Sequence, residues 1–171
     1  FLFLNDESGR IVKIIFSLSS IIGLFTIFKS FSLQNLNFFE YFSIFLLSVL
    51  ALMLLVSCSD LISGYLVIEM QALCFYILAS FRRDSAFSTE AGLKYFISGA
   101  FISGIFLFGA SLIYGSLGTL NFNHINLLLT FPLNDEFSHL RIIVLIGILL
   151  VTITLLFKVA AAPFHFWSPD V

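Results

Sequence analysis

The sequence predicts an all-α membrane protein with about five transmembrane helices, one of them broken, and three observations support this fold class. Of the 171 residues, 60% are hydrophobic and only 11% are charged, whereas soluble globular domains carry about 25% charged residues. Five apolar segments approach the roughly 20 residues that a helix needs to cross a bilayer. Charged residues stand near the ends of these segments. The sequence therefore predicts that the chain lies in a lipid bilayer. Its net charge is −2 and it contains no basic run, which argues against nucleic acid as a partner.

The predicted helices make up a single transmembrane helical region that covers residues 1–171. They span about residues 11–31, 41–59, 61–81, 94–115 and 142–162. Lys13 and Lys29 lie near the ends of the first helix, where long amines can reach the membrane surface. The second and third helices are almost contiguous around Asp60, which predicts a tight antiparallel hairpin.

Small residues recur on the fourth predicted helix, where Gly99 and Ser103 stand four positions apart. Small side chains at this spacing let a neighbouring helix approach closely, so we expect a tight contact along this helix. Between the fourth and fifth helices, the stretch INLLLTF at 125–131 predicts a short amphipathic piece at the membrane interface.

Glu69 is the one charged residue inside the third predicted helix, at its ninth position and near the bilayer midplane. A carboxylate at that depth costs at least about 2.5–3.5 kcal/mol on insertion scales. A partner, water or protonation must offset this cost. Glu69 is therefore a candidate functional residue, and the alternative is an ion pair or a neutral acid that only holds helices together.

Lys158 follows the uncharged apolar run 142–157, and Pro163 comes five residues later. Proline has no N–H and clashes with the carbonyl four positions before it, here that of Val159. Non-helical backbone at membrane depth is tolerated only inside protein or beside a wet cavity. The stretch therefore predicts a broken helix with a titratable amine at the break. The alternative is a lysine that reaches the surface at a helix end, with Pro163 simply terminating the helix.

An acid and an amine buried together can form a proton relay. Burial disfavours a charged amine and a nearby carboxylate favours it, so a change at Glu69 would switch whether Lys158 holds a proton. Lys94, at the head of the fourth predicted helix, either extends this relay or anchors the helix at the interface. His165 either passes protons, since histidine is the side chain that changes charge near neutral pH, or caps the break by hydrogen bonding.

The sequence predicts no metal or cofactor site in this chain. It contains no metal-ligand spacing, phosphate-binding loop or nucleophile triad. Cys58 and Cys74 both lie in apolar runs, which predicts two small buried hydrophobic residues instead of a disulfide or a metal site.

Three stretches resemble the NADH dehydrogenase (ubiquinone) subunit 2 family, which are antiporter-like membrane subunits of respiratory complex I. The stretches are YLVIEMQALCFYILASF (65–81), SAFSTEAGLKYFISGAFISGIFLFGASLIYGSLG (85–118) and FKVAAAPFHFWSPDV (157–171). The resemblance covers roughly residues 38–171. The combination of IE-x-Q-x-LCFY with STEAGLKY is similar to subunit 2 in particular, of a mitochondrial type.

The resemblance implies a role for each candidate residue. Glu69 pairs with Lys158 of the broken helix in that family, and the two form part of one proton-translocation channel. Lys94 corresponds to the family's lysine near the start of the next helix. His165 falls in the family's PFH motif at the break.

The fold that the resemblance implies has about fourteen helices with two inverted five-helix repeats, the arrangement of many transporters. This sequence resembles the third to seventh of those helices. Either the sequence is partial, or the subunit is encoded in pieces and this is the N-terminal piece, in which case a second chain carries the missing half.

The function that the resemblance implies is that of a proton-translocating membrane-arm subunit of complex I, multi-pass in the mitochondrial inner membrane. Other membrane-arm subunits are then its partners. The chain itself carries no redox chemistry, and FMN, iron–sulfur clusters and ubiquinone belong to the complex as a whole. Two alternatives stay open: a subunit of a related cation/proton antiporter, and a scaffold fragment that does not pump.

Overall fold

The computed structural model of the chain describes residues 3–4, 6–34, 38–130, 138–165 and 167–170, and apart from two isolated β-bridges their regular structure is helical. The helices are α1 (Glu7–Gln34), α2 (Phe38–Leu55), α3 (Leu61–Ala79), α4 (Ala86–Leu117), α5 (Phe122–Thr130) and α6 (Ser138–Lys158), followed by a 3₁₀ turn (Ser168–Asp170). Within the described residues, α1, α3, α4 and α6 are long and apolar enough to cross a membrane, and α2 is a shorter apolar helix. The predicted all-α membrane fold is confirmed.

Helices α2 and α3 pack against each other as the predicted hairpin. α2 ends at Leu55, four residues before the predicted end at residue 59. The chain tightens there because the N–H groups of Ser57 and Cys58 bond to carbonyls three residues earlier, at 3.0 and 3.2 Å. α3 begins directly after Asp60, whose backbone is extended. The turn between α2 and α3 is therefore short, and a short turn makes the two helices run antiparallel.

Helix α4 begins at Ala86, eight residues before the predicted start at residue 94. The prediction was wrong because it took the polar stretch before the apolar run for a loop. Polar residues continue a helix when they support one another, and Glu90 pairs with Lys94 at 2.8 Å one turn later. Lys94 therefore lies two turns inside α4 and not at its head. The helix ends at Leu117, and the next residue, Gly118, has a φ of 70° that suits glycine at this capping position.

Helices α4 and α6 run antiparallel and approach each other at two glycines. A Cβ on Gly109 would lie 3.0 Å from the carbonyl oxygen of Gly147, and one on Gly147 would lie 2.7 Å from a side-chain carbon of Ile113. Gly109 also faces Val151, so the contacts run in opposite order along the two helices. Small residues on α4 permit this close packing, as the sequence predicts.

Gly99 makes a close contact between α4 and α3. A Cβ at this position would overlap the hydroxyl of Tyr76 on α3. Tyr76 is buried, and its ring meets those of Tyr95 and Phe96 edge to face. The close contact predicted around Gly99 is therefore made by an aromatic side chain, that of Tyr76, which lies across the backbone of α4.

One end of the bundle joins the α2–α3 turn to the α4–α5 turn. The Asn121 side-chain amide donates a hydrogen bond of 2.8 Å to the Asp60 carboxylate. Two backbone hydrogen bonds flank it, at 3.0 and 3.1 Å. The amphipathic helix α5 starts directly after this link. It covers 125–130 of the predicted amphipathic piece, and residue 131 lies outside the described residues.

Candidate functional site

The centre of the bundle contains an ion pair between two helices that are distant in sequence. The Lys158 amine donates a hydrogen bond to the Glu69 carboxylate, with a distance of 2.5 Å between Nζ and Oε1. Glu69 is the ninth of the nineteen residues of α3, and Lys158 is the last residue of α6. The side chains are 21% and 19% exposed. The structure thus brings together the two charges that the sequence places at membrane depth.

The backbone ends α6 at Lys158, four residues before the predicted end at residue 162. The N–H of Ala160 bonds to the Phe157 carbonyl and the N–H of Ala161 to the Leu156 carbonyl, both at 3.0 Å. These two bonds make a Schellman motif, and Ala160 takes the left-handed conformation it requires, with a φ of 54°. The predicted clash with the Val159 carbonyl therefore does not arise.

The earlier helix end has a physical reason. Proline restricts the residue before it to extended backbone, so Ala162 cannot continue a helix into Pro163. The Ala162–Pro163 peptide bond is cis. Turns follow through the described residues up to His165. α6 thus ends at the lysine itself, and turns follow in the described residues beyond it, so the broken helix stays a prediction.

Trp167 folds back over this helix end, a contact that the sequence analysis missed. Its indole N–H donates to the Phe157 carbonyl at 3.0 Å. Its ring stacks on Tyr95 of α4 at 5.0 Å and on Phe157 at 5.8 Å between ring centroids. An aromatic residue with one polar group, placed just beyond a helix end with unsatisfied carbonyls, is the signal that could have identified it.

A cavity of about 320 Å³ adjoins Lys158. Its apolar walls come from α2, α3, α4 and α6. Polar groups on its wall, besides the lysine, are Gln71, Tyr76, Tyr95 and Ser98. A cavity of this size with several hydrogen-bonding groups can hold ordered water. The amine therefore contacts both a carboxylate and a space suited to water.

The two other candidate residues lie away from this cavity's lining. Lys94 is half-exposed and pairs with Glu90 of its own helix. His165 is exposed in the turns beyond the break, where its carbonyl accepts a hydrogen bond from the Ser168 N–H at 3.0 Å. The side-chain hydrogen bond that caps the end of α6 comes from Trp167.

Residues 58–171 match the transmembrane family of NADH:quinone oxidoreductases and Mrp antiporters. The chain is 48% identical over 121 residues to NADH-ubiquinone oxidoreductase chain 2 of Marchantia polymorpha, covering 71% of this chain and 25% of the relative. It is 39% identical over 169 residues to NADH-quinone oxidoreductase subunit N of Beijerinckia indica subsp. indica, covering 99% of this chain and 34% of the relative.

Solved structures of two respiratory complexes contain a similar fold. A chain of respiratory complex I from Thermus thermophilus with bound aureothin aligns with a TM-score of 0.71 and 29% identity, covering 100% of this chain and 35% of that one. A chain of the archaeal membrane-bound sulfane sulfur reductase aligns with a TM-score of 0.64 and 28% identity, covering 74% and 24%. The chain spans about a quarter to a third of the length of the curated relatives. The match over most of its length shows that the chain belongs to the NADH:quinone oxidoreductase/Mrp antiporter membrane family.

Proposed function

We propose that this chain is part of a proton-translocating membrane subunit of an NADH:quinone oxidoreductase, with Glu69 and Lys158 as its proton relay. The ion pair between α3 and α6 is the observation that carries the proposal. The similarity to chain 2 and subunit N of such enzymes supports the choice of complex. NADH oxidation, FMN, iron–sulfur clusters and ubiquinone then belong to other parts of that complex.

The relay works through the dependence of each charge on the other. A carboxylate next to the Lys158 amine favours its protonated form, and low exposure disfavours that form when the carboxylate is neutral or displaced. One charge crossing 100 mV costs about 2.3 kcal/mol. Removing one partner of a buried ion pair costs about 3–5 kcal/mol, and the one-fifth exposure of both side chains reduces this cost to roughly 2–4 kcal/mol. Opening and closing the pair thus involves a free energy comparable to that of moving one proton against this potential.

The cavity beside Lys158 supports a route by which protons reach the amine. Its wall carries the Gln71 amide, the Ser98 hydroxyl and the phenols of Tyr76 and Tyr95. These groups donate and accept hydrogen bonds, so they can order a chain of water between α3 and α4. We assign the amine end of the relay to this cavity and the acid end to Glu69.

Lys94 and His165 receive supporting roles in this proposal. The exposed pair of Lys94 with Glu90 stabilises the polar start of α4, which favours anchoring over proton transfer. His165 is exposed beyond the end of α6, and we assign it to passing protons onward from Lys158. The chain contributes one transmembrane helical region to this subunit, and other membrane-arm subunits are its partners. Similarity to an NADH-ubiquinone oxidoreductase chain 2 favours the mitochondrial inner membrane.

Glu69→Gln tests the proposal in a complex that contains the chain. Proton transfer through this subunit should slow by at least about 10²-fold, the low end for loss of a positioned acid or base. The measurement is protons pumped per NADH oxidised in vesicles. Glu7→Gln is the control, because Glu7 also sits in an ion pair but is 93% exposed. An unchanged ratio in Glu69→Gln would show that the acid is not part of the relay.

Two alternatives have observations of their own. The ion pair joins α3 to α6, which favours a scaffold that only fixes these helices; Lys158→Met with normal assembly and normal pumping would support it. The family also includes Mrp antiporters. A sodium-dependent pH change without any NADH oxidation would support an antiporter subunit.

A further inference from the structure

Two cavities flank the last turn of α3, and they share one edge. The first, about 420 Å³, lies between α3 and the start of α2. The second, about 480 Å³, lies between α3 and the start of α4. Ile77, Ser80 and Arg83 line both. Because all three residues line both cavities, they form one ridge between two grooves.

The first cavity has four charged residues on its wall: Glu40, Arg82, Arg83 and Asp84. All four are exposed. Within the part of the chain that the structure describes, none of them forms an ion pair. Two positive and two negative side chains thus line one cavity without pairing with one another. A ligand that carries one positive and one negative charge could pair with side chains of both signs.

The cavities lie at the depth where lipid headgroups meet acyl chains. The membrane-spanning part of α3 ends at Ala79 and that of α4 begins at Ala86, so Arg82 and Arg83 stand at the membrane surface. The walls facing the membrane interior are apolar, from Ile44 in the first cavity to Leu93 and Phe96 in the second. Basic side chains in pockets between transmembrane helices bind lipid headgroups, and Arg82 and Arg83 supply such side chains here.

We propose that these cavities bind one molecule of phosphatidylethanolamine. The phosphate would accept hydrogen bonds from Arg83, whose planar guanidinium matches phosphate geometry. The ethanolamine ammonium would donate to the carboxylates of Glu40 and Asp84. A choline headgroup has no N–H to donate, and an anionic headgroup would leave both carboxylates unpaired. One acyl chain then occupies each groove, on either side of the ridge at Ile77. This proposal does not depend on the proton relay.

The test uses the complex that contains the chain, reconstituted in nanodiscs with a photoactivatable phosphatidylethanolamine. Mass spectrometry of the cross-linked peptides should place the lipid on residues 77–96. Arg83→Gln should lower the yield about fivefold, the upper range for one exposed ion pair, and Arg83→Lys should lie between. Arg141→Gln is the matched control, because Arg141 is an exposed arginine at the start of α6, which lies at the opposite end of the bundle.

Competition separates the headgroups. Unlabelled phosphatidylethanolamine should displace the probe more effectively than phosphatidylcholine or phosphatidylglycerol. Equal displacement by all three lipids, stronger displacement by phosphatidylglycerol, or an unchanged yield in Arg83→Gln would each overturn the proposal. The NADH oxidation rate of each variant complex reports whether it has assembled, so a loss of cross-linking through misfolding is recognised.

Discussion

Glu69→Gln should loosen the end of α6, and the size of the effect follows from burial of the pair. Breaking a buried ion pair by removing one partner costs about 3–5 kcal/mol. Both side chains here are about one-fifth exposed, which reduces the cost to roughly 2–4 kcal/mol. Opening of the last turn returns Lys158 to water and relieves this cost. The free energy of that local opening should therefore fall by the same amount.

Hydrogen–deuterium exchange of the purified complex measures this opening directly. The amides of Val159, Ala160 and Ala161 are hydrogen-bonded to the last turn of α6 at 3.0 Å. Their exchange in Glu69→Gln should be faster by at least about 30-fold, since about 1.4 kcal/mol corresponds to a factor of ten. The amide of Gly118, at the other end of α4, should exchange at its original rate.

The double variant Glu69→Gln/Lys158→Met distinguishes lost attraction from an uncompensated charge. Methionine is apolar and flexible enough to fill the space of the lysine side chain. Exchange in the double variant should return to within about fivefold of the original rate, because well-packed apolar residues replace buried pairs at little cost. If Glu69→Gln exchanges at the original rate in an assembled complex, the pair does not hold the end of α6 and the reasoning from burial fails.

Three further predictions test the packing, the helix end and the turn at Cys58. Gly147→Ala should cost about 1–3 kcal/mol, because its Cβ would come within 2.7 Å of α4. Gly104→Ala, with open space at its Cβ, should leave the thermal stability of the complex unchanged; equal losses would argue against the tight α4–α6 contact. Trp167→Phe keeps a stacking ring but loses the hydrogen bond to Phe157, so exchange at the α6 end should rise about fivefold for roughly 1 kcal/mol; no change would show that the indole N–H is dispensable. Burial raises the pKa of the Cys58 thiol. Maleimide should therefore react with Cys58 more slowly than with a free cysteine at pH 8, and the reaction should become faster as the pH rises. A reaction faster than that of free cysteine would show that burial does not protect this thiol.

The sequence predicts the ion pair because charge at membrane depth is too costly to leave alone. Glu69 and Lys158 stand out against apolar surroundings, and pairing with each other is the option that offsets both costs at once. The start of α4 could not be found in the same way, since polar turns at its beginning interrupt the apolar run that marks a membrane helix. The end of α6 was misplaced because its left-handed residue is Ala160, whereas glycine is the usual sequence signal for this cap. The contact of Trp167 with the end of α6 could not be predicted from the sequence, because it depends on where the chain turns after Lys158.

The arrangement at the end of α6 separates the residues that hold the break from the residue that carries charge. Two backbone N–H groups and the Trp167 indole satisfy the carbonyls of Leu156 and Phe157. Cationic side chains near a helix end often bond such carbonyls themselves. Lys158 is released from that task, so its amine is available to pair with Glu69 of α3. This separation supports the proposed role of Lys158 as proton carrier, because its amine is not engaged in capping the helix.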